Sequence, residues 1–408
     1  MSEFLQDLMG RVNELREQNL LRELRRVDSA QGPHIQIGGR PLLNFSSNDY
    51  LGLANDPLLK EAASQAVAAY GAGAGASRLI CGSLAPHHEL EEALARFKGA
   101  EAALTFSSGY ATALGTICAL LTKEDVIVVD KLVHACVVDA ARLCGAKLRV
   151  FAHNDPGSLE NILQWADRRT PLAPGLARRR TLIVTESVFS MDGDLAPLRE
   201  IVELKDRHGA WLMIDEAHAT GLFGQNRRGL AEAYELSDRV EIQMGTFGKA
   251  LGSAGGYICG ARPLIDLLIN SARSFIFSTA PVPAAAAAAA AAVRVVESAE
   301  GELRRQQLWA RVDQVKNGLI AGRFPLPVIR SPIIPLIVGP EAKAMDMAAA
   351  LRAAGVFIPA VRFPTVARGE ARLRLTVTAA HTPEDVEEMV LGLSRHHPDE
   401  LAGGSGIP

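Results

Sequence analysis

Two residues in this 408-residue chain combine the types and placement needed for amine chemistry. Asp215 lies in the apolar run WLMIDEA (211–217). Lys249 follows the next such run, IQMGT (242–246), inside the glycine-rich stretch GTFGKALGSAGG (245–256). If the two runs are neighbouring parallel strands, both side chains face one crevice at the carboxyl edge of the sheet. A lysine to form a Schiff base and a carboxylate against the pyridine nitrogen are what pyridoxal 5'-phosphate (PLP) requires of a protein. Burial among small residues also lowers an amine's pKa, which makes it a nucleophile and a base. An ordinary ion pair across the sheet edge accounts for the same two residues, so the surrounding sequence has to decide.

Other residues fit around that pair. In SSGYATALGTICALL (107–121) polar and glycine residues open an apolar helix, whose first N–H groups and dipole suit a phosphate; a plain serine N-cap is the alternative. Ser190 in VFSMDGD, Thr246 and the pair Ser278-Thr279 could add hydroxyl donors, though each could equally be a turn or cap residue. His134, just after DVIVVD, could stack on a flat ring, and His218 in DEAHATG could steady a cofactor's polar edge. His87 and His88 have no third ligand at credible spacing, so they read as a helix start and no metal site is expected. GAGAGAS (71–77) lacks the third glycine of a dinucleotide fingerprint and follows a helical stretch where a strand is required. No GxSxG elbow points to a hydrolase.

The elements that must carry these residues alternate along the chain. DVIVVD (125–130), TLIVTES (181–187), WLMIDEA and IQMGT are short apolar runs separated by helical segments, which predicts an α/β domain with a mostly parallel sheet buried on both faces. Asp130, Glu186, Asp215 and Thr246 would then share one edge. Phe4, Leu5, Leu8, Val12 and Leu15 recur at helical spacing, so the chain opens on an amphipathic helix that packs on its own chain or on a partner. Past the proline-rich FPLPVIRSPIIP (324–335), the order IIPLIVG, AMDMAAALRAAG, VFIPAVRF, RLRLTVTA and PEDVEEMVLGLSRHH suits a small α+β domain. The expected division is a helix and small strand segment over 1–55, a large domain over 56–292, a small domain over 293–398 and a disordered tail over 399–408.

Composition narrows the partners. A formal net charge of −3 gives no basic excess for nucleic acid, so small molecules or protein are expected. The alanine run 284–292 is too short and too weakly apolar to span a bilayer, and no secretory signal opens the chain. Five cysteines without CxxC spacing read as free thiols in a reducing compartment, hence a cytoplasmic protein.

The stretches NFSSNDYLGL, GAGASRLICGS followed by HHELE, SSGYATA, VFSMDGDLAPL, DEAHATG, TFGKALGSAGG and RFPTVARGEARLRLTVTAAHT, in that order, resemble the alpha-oxoamine synthase family. These are PLP-dependent acyltransferases of fold type I, and the resemblance covers nearly the whole chain. It implies Lys249 as the Schiff-base lysine, with the glycines around it clearing space for the cofactor. Asp215 is implied on the pyridine nitrogen and His134 on the ring face. Gly109 and Tyr110 are implied at the helix start, and Ser190, His218 and Thr246 at the cofactor's polar groups. Family precedent implies a homodimer with its active site at the subunit interface, where Ser278 and Thr279 reach the neighbouring subunit's phosphate. It also implies Arg22, with Arg25 close in register, as an N-terminal substrate arginine. Arg362 and Thr365 are implied at the amino-acid carboxylate. PTVARGEARLRLTVTAAHT reads most like the member that condenses L-alanine with a pimeloyl thioester in biotin biosynthesis. Siblings that use glycine or serine with other acyl groups, a transaminase, and a catalytically silent PLP protein are the alternatives. Ala113 and Ala219 stand where the family usually has asparagine and glycine.

Overall fold

The computed structural model describes residues 2–168 and 179–395. The chain divides into two compact units. The larger comprises Asp49–Ser190 and Asp194–Gln306. Its centre is a seven-stranded sheet in the spatial order Ala102–Phe106, Gly256–Gly260, Ile242–Thr246, Trp211–Asp215, Thr181–Glu186, Val126–Asp130, Lys147–Phe151. Only Gly256–Gly260 runs against the rest. The four apolar runs read from the sequence are therefore adjacent parallel strands, as their burial on both faces demanded. Ile127, Val129, Leu182, Val184, Met213 and Met244 share one apolar core with Ile117, Val137 and Leu268 from the covering helices.

Strand order places the site. From Val126–Asp130 the chain passes through the helix Ala135–Leu143 to Lys147–Phe151 on one side, then crosses back to Thr181–Glu186 on the other. This reversal opens a crevice at the carboxyl ends of those strands, where an α/β sheet binds its ligand. His134, Ser190 and Asp215 all lie at or just beyond strand ends around it. The alanine-rich stretch forms the helix Pro283–Glu297, which packs on Pro57–Tyr70 and Ala85–Lys98. Its small side chains let the helix axes approach closely. Among the described residues no helix is long and apolar enough to cross a membrane.

The second unit takes residues up to Asn48, Met191–Gly193 and the chain from Gln307 onward. Strands His34–Ile37 and Arg40–Asn44 pair antiparallel, and Val356–Phe357 adds to the latter in parallel. A second sheet orders Ile333–Gly339, Ala371–Thr376 and Ala360–Val361. The helix Glu341–Ala353 packs on it through buried Met347 and Leu351. This division differs from the one composition suggested. The N-terminal strands belong with the C-terminal ones because they share a sheet, and the later boundary falls inside the helix Ala299–Ala321, which shows no break in pattern. Residues 399–408 lie outside the described residues. The opening helix, Glu3–Glu17, buries none of its side chains.

Candidate active site

Lys249 sits on the reversal that joins Ile242–Thr246 to the antiparallel Gly256–Gly260. Backbone bonds from Phe247 N to Gly255 O, Ser253 N to Phe247 O and Gly252 N to Lys249 O (3.0, 2.8 and 2.9 Å) hold it. Its Nζ lies 2.7 Å from His218 Nε2, and His218 Nδ1 lies 2.5 Å from the hydroxyl of the fully buried Tyr50. The two His218 contacts are coupled through the ring. If the Tyr50 hydroxyl donates to Nδ1, Nε2 carries the hydrogen and donates to a neutral amine; an ammonium at Lys249 demands the opposite tautomer. Several of the surrounding glycines stand where a Cβ would meet neighbouring protein atoms. Gly252 has φ 57°, and a Cβ there would stand 2.5 Å from Ala54 N and Leu53 C. Gly248 is the neighbour that leaves side-chain room, with nothing closer than 3.6 Å.

Asp215 and Glu186 end adjacent strands in direct register. Both are buried, at 7% and 2% exposure, and burial raises both pKa values. Asp215 is drawn back toward ionisation chiefly by the Lys249 charge, and its Oδ1 accepts from Ala217 N at 2.9 Å. Glu186 is pushed up to about 8 by burial and then by Asp215. Its Oε2 accepts from Ser190 N at 3.1 Å, and among the described residues its buried Oε1 has no partner. This carboxyl thus holds the backbone that carries Ser190.

His134 caps the helix Ala135–Leu143: its Nδ1 accepts from Cys136 N at 3.2 Å and lies 3.1 Å from Cys136 Sγ. An accepting Nδ1 leaves the hydrogen on Nε2 and the ring neutral. Desolvation lowers its pKa in the same direction, and Asp215 and Lys249 are the next charges that it senses. The predicted Lys249, Asp215, His218, His134 and Ser190 are thus drawn to one sheet edge. Tyr50 and Glu186 join them, and neither had a chemical role assigned from sequence. Tyr50 lay in the NDYLG turn with nothing local to mark it.

Beside this cluster, the helix Gly109–Leu120 starts against the same strand pair. Gly109 approaches Thr246 side-on, and a Cβ on Gly256 would lie 2.9 Å from Gly109 N. Ser108 is an N-cap after all, since its Oγ accepts from Ala111 N at 3.1 Å while its carbonyl accepts from Thr112 N. The N–H groups of Gly109 and Tyr110 remain without an intrahelical partner, as helix geometry requires of the first turn. Tyr110 is exposed and donates to Asp139 at 2.7 Å. The Thr246 hydroxyl donates to Gly255 O at 2.7 Å and accepts from Gly248 N, so it braces the lysine turn. Ser278 and Thr279 do not join the cluster. Thr279 forms a bridge with Ser77, and the Ser278 hydroxyl bonds the Thr279 carbonyl. Ala113 and Ala219 are fully buried, and Ser108 secures the turn that an asparagine at position 113 would border.

In the smaller unit Arg362 and Arg22 interlock. Arg362 Nη2 donates to Leu21 O at 2.6 Å and Arg22 Nη2 to Phe363 O at 3.0 Å. Burial and then the charges of Arg22 and Arg25 lower the Arg362 pKa, and among the described residues its buried Nε has no partner. Among the described residues no carboxylate pairs with Arg22, Arg25 or Arg362, which leaves a cationic cluster suited to an anion. Thr365 N closes the adjacent turn on Arg362 O.

A nucleophilic amine, a buried carboxylate, a flat neutral imidazole and two open helix-start N–H groups form the donor set that a pyridine aldehyde phosphate needs, so the residues present fit PLP. The profile of the "Aminotransferase class I and II" family matches residues 40–393. The chain is 47% identical over 380 residues to an 8-amino-7-oxononanoate synthase of Anaeromyxobacter dehalogenans, covering 93% of this chain and 92% of that one. A second protein of that name, from Geobacter sulfurreducens, is 44% identical over 95% of this chain and 97% of its own. Among solved structures, serine palmitoyltransferase from S. paucimobilis with a bound PLP–myriocin aldimine superposes with a TM-score of 0.90 at 28% identity, covering 99% and 100% of the two chains. The 8-amino-7-oxononanoate synthase of Francisella tularensis superposes with 0.73 at 25% identity, covering 88% and 99%. This chain belongs to the aminotransferase class I and II family, as a PLP-dependent, fold-type I transferase of the alpha-oxoamine synthase group.

Proposed function

We propose that the protein condenses L-alanine with a pimeloyl thioester, releasing carbon dioxide and the free thiol, to give 8-amino-7-oxononanoate for biotin biosynthesis. The observation that carries this is the Lys249 amine on its glycine-bounded turn beside buried Asp215, in a chain 47% identical to a relative of that name. Bound here, PLP supplies the electron sink that takes up the charge left at Cα. Lys249 Nζ would hold the cofactor and, as a free amine, would take the Cα proton as general base. Asp215 would keep a proton on the ring nitrogen, and the neutral His134 would pack against the ring. His218, between Lys249 and Tyr50, would steady the polar edge. Gly109 and Tyr110 offer N–H groups to the phosphate, and Ser190 offers its hydroxyl. We assign Arg362, with Arg22 and Thr365 beside it, to the substrate carboxylate.

The same reading makes the protein a cytoplasmic homodimer. Leu79, Ile80 and Phe277 are 51%, 79% and 71% exposed around the Ser77–Thr279 bridge, an apolar patch that supports burial by a second copy. Ser278 and Thr279 lie in that patch and would reach the phosphate bound by the other subunit.

Structural similarity to serine palmitoyltransferase favours a second reading, serine with a long acyl chain, but 47% against 28% sequence identity favours the first. Thiol release from the cofactor-loaded protein, measured for L-alanine, glycine and L-serine against pimeloyl, acetyl, succinyl and palmitoyl thioesters, separates them. Release confined to alanine with pimeloyl is expected, and release with serine and palmitoyl would move the protein to the sibling activity. Lys249→Ala should reduce turnover by at least about 100-fold and abolish borohydride trapping of the cofactor.

A further inference from the structure

His153 follows the edge strand Lys147–Phe151 and joins the two segments that carry His134 and Ser190. Its Nδ1 lies 2.9 Å from Asp130 Oδ1 and its Nε2 lies 2.8 Å from Asp194 Oδ2. Asp130, 1% exposed, ends the strand that leads into the His134 turn, and its Oδ1 also accepts from Leu132 N at 2.8 Å. Asp194 closes the loop that carries Ser190: its carbonyl accepts from Phe189 N at 3.0 Å, beside the bridge between Val188 and Leu195. Asn154, at φ 53°, doubles the link, with its N–H on Asp130 Oδ2 and its amide on Asp194 Oδ2 at 2.9 and 2.7 Å. The Phe189 ring meets the imidazole edge-on at 4.4 Å. A carboxylate only accepts, so a ring bonded to two of them must donate from both nitrogens and carry a positive charge.

We propose that His153 is a positioning residue of the active site, an imidazolium clamp between Asp130 and Asp194 that fixes the His134 turn and the Ser190 loop relative to each other. The inference rests on the assignment of those two residues to the cofactor. The charged groups facing the ring are Asp130 from the neighbouring strand and Asp194 from the loop, and with them the pKa rises to about 10 against the desolvation that opposes it. A raised value means that the clamp's stabilisation is complete below the ordinary histidine range near 6.5 and is lost as pH climbs through about 10.

The test pairs His153→Ala and His153→Gln with ¹⁵N resonances of the unaltered protein. Glutamine keeps a donor for one carboxylate but no charge. In the cofactor-loaded protein both variants should weaken PLP binding, read by absorbance titration, by about tenfold or more. They should also lower kcat with little change in the KM for alanine, and the glutamine variant should retain the parent's melting temperature more closely. The His153 ring of the wild-type chain should show imidazolium shifts at pH 8. A neutral ring at pH 8, or PLP affinity within twofold of the parent in both variants, overturns the proposal. If the alanine variant does not fold, the glutamine variant and the resonances still decide. PLP affinity does not depend on which amino acid or thioester is used, so failure of the substrate assignment would leave this result readable.

Discussion

Glu186 shows how far a residue's chemistry depends on its place. As a carboxyl on a peptide it ionises in the ordinary range, but at this sheet edge burial and the neighbouring Asp215 push it up to about 8. The unfolded chain therefore sheds the proton at lower pH than the folded one, so between about 4.5 and 8 rising pH destabilises the native state. Glu186→Gln removes that penalty and keeps an acceptor for Ser190 N. In the cofactor-free protein the variant should gain stability over the parent as pH rises from 5 to 8, by about 1 kcal/mol or more at the upper end, since one pKa unit is worth about 1.4 kcal/mol. Urea melts at both pH values check this, and a pH-independent difference would mean that the carboxyl is already ionised. Lys249 and Asp215 were legible in the sequence because each follows directly from an apolar strand whose end fixes its position. Tyr50 was not, since it meets His218 across 168 residues of chain, and for Glu186 the edge position was legible but not its burial, because a glutamate at a strand end looks the same whether it is buried or wet.

At the scale of elements, the turn that carries Lys249 is set by how closely its backbone passes residues 53 and 54. Gly252→Ala places a Cβ at 2.5 Å from Ala54 N and Leu53 C in a left-handed conformation that a side chain disfavours. The backbone cannot yield as a flexible side chain would, so the variant should lose at least about 2 kcal/mol of stability and trap less cofactor on borohydride reduction. Gly248→Ala, whose nearest neighbours stand at 3.6 Å or more, should lose much less, and equal losses would mean that spacing around the turn is not what matters. The glycines were visible in the sequence, but their purpose was not, because backbone approach is invisible to composition. The buried parallel strands were legible because continuous apolar runs have few other uses. Gly256–Gly260 was not, since its two end glycines and short length hide a strand whose antiparallel direction comes only from the reversal at Lys249.

The largest gap between sequence and structure lies at the scale of the whole molecule. The sequence suggested an N-terminal segment over 1–55 separate from a small domain over 293–398, whereas pairing places Arg40–Asn44 between His34–Ile37 and Val356–Phe357. Contacts this distant along the chain leave no local periodicity to read. They do make the N-terminal segment divisible into a dispensable part and an essential one. The helix Glu3–Glu17 buries no side chain, while Leu42 and Leu43 are each 3% exposed in the sheet. Deleting residues 2–17 should therefore leave the melting temperature within about 2 °C, a change near or below 1 kcal/mol for a chain of this size. Deleting residues 2–44 removes two of the three strands, exposes the edge of Val356–Phe357 and uncovers its apolar neighbours, so this variant should melt much earlier and aggregate. Circular dichroism melts of the two deletions decide the matter. A cooperative transition at the parent temperature after the longer deletion would show that the C-terminal strands fold without their N-terminal partners, and the boundary suggested by composition would then be the physical one.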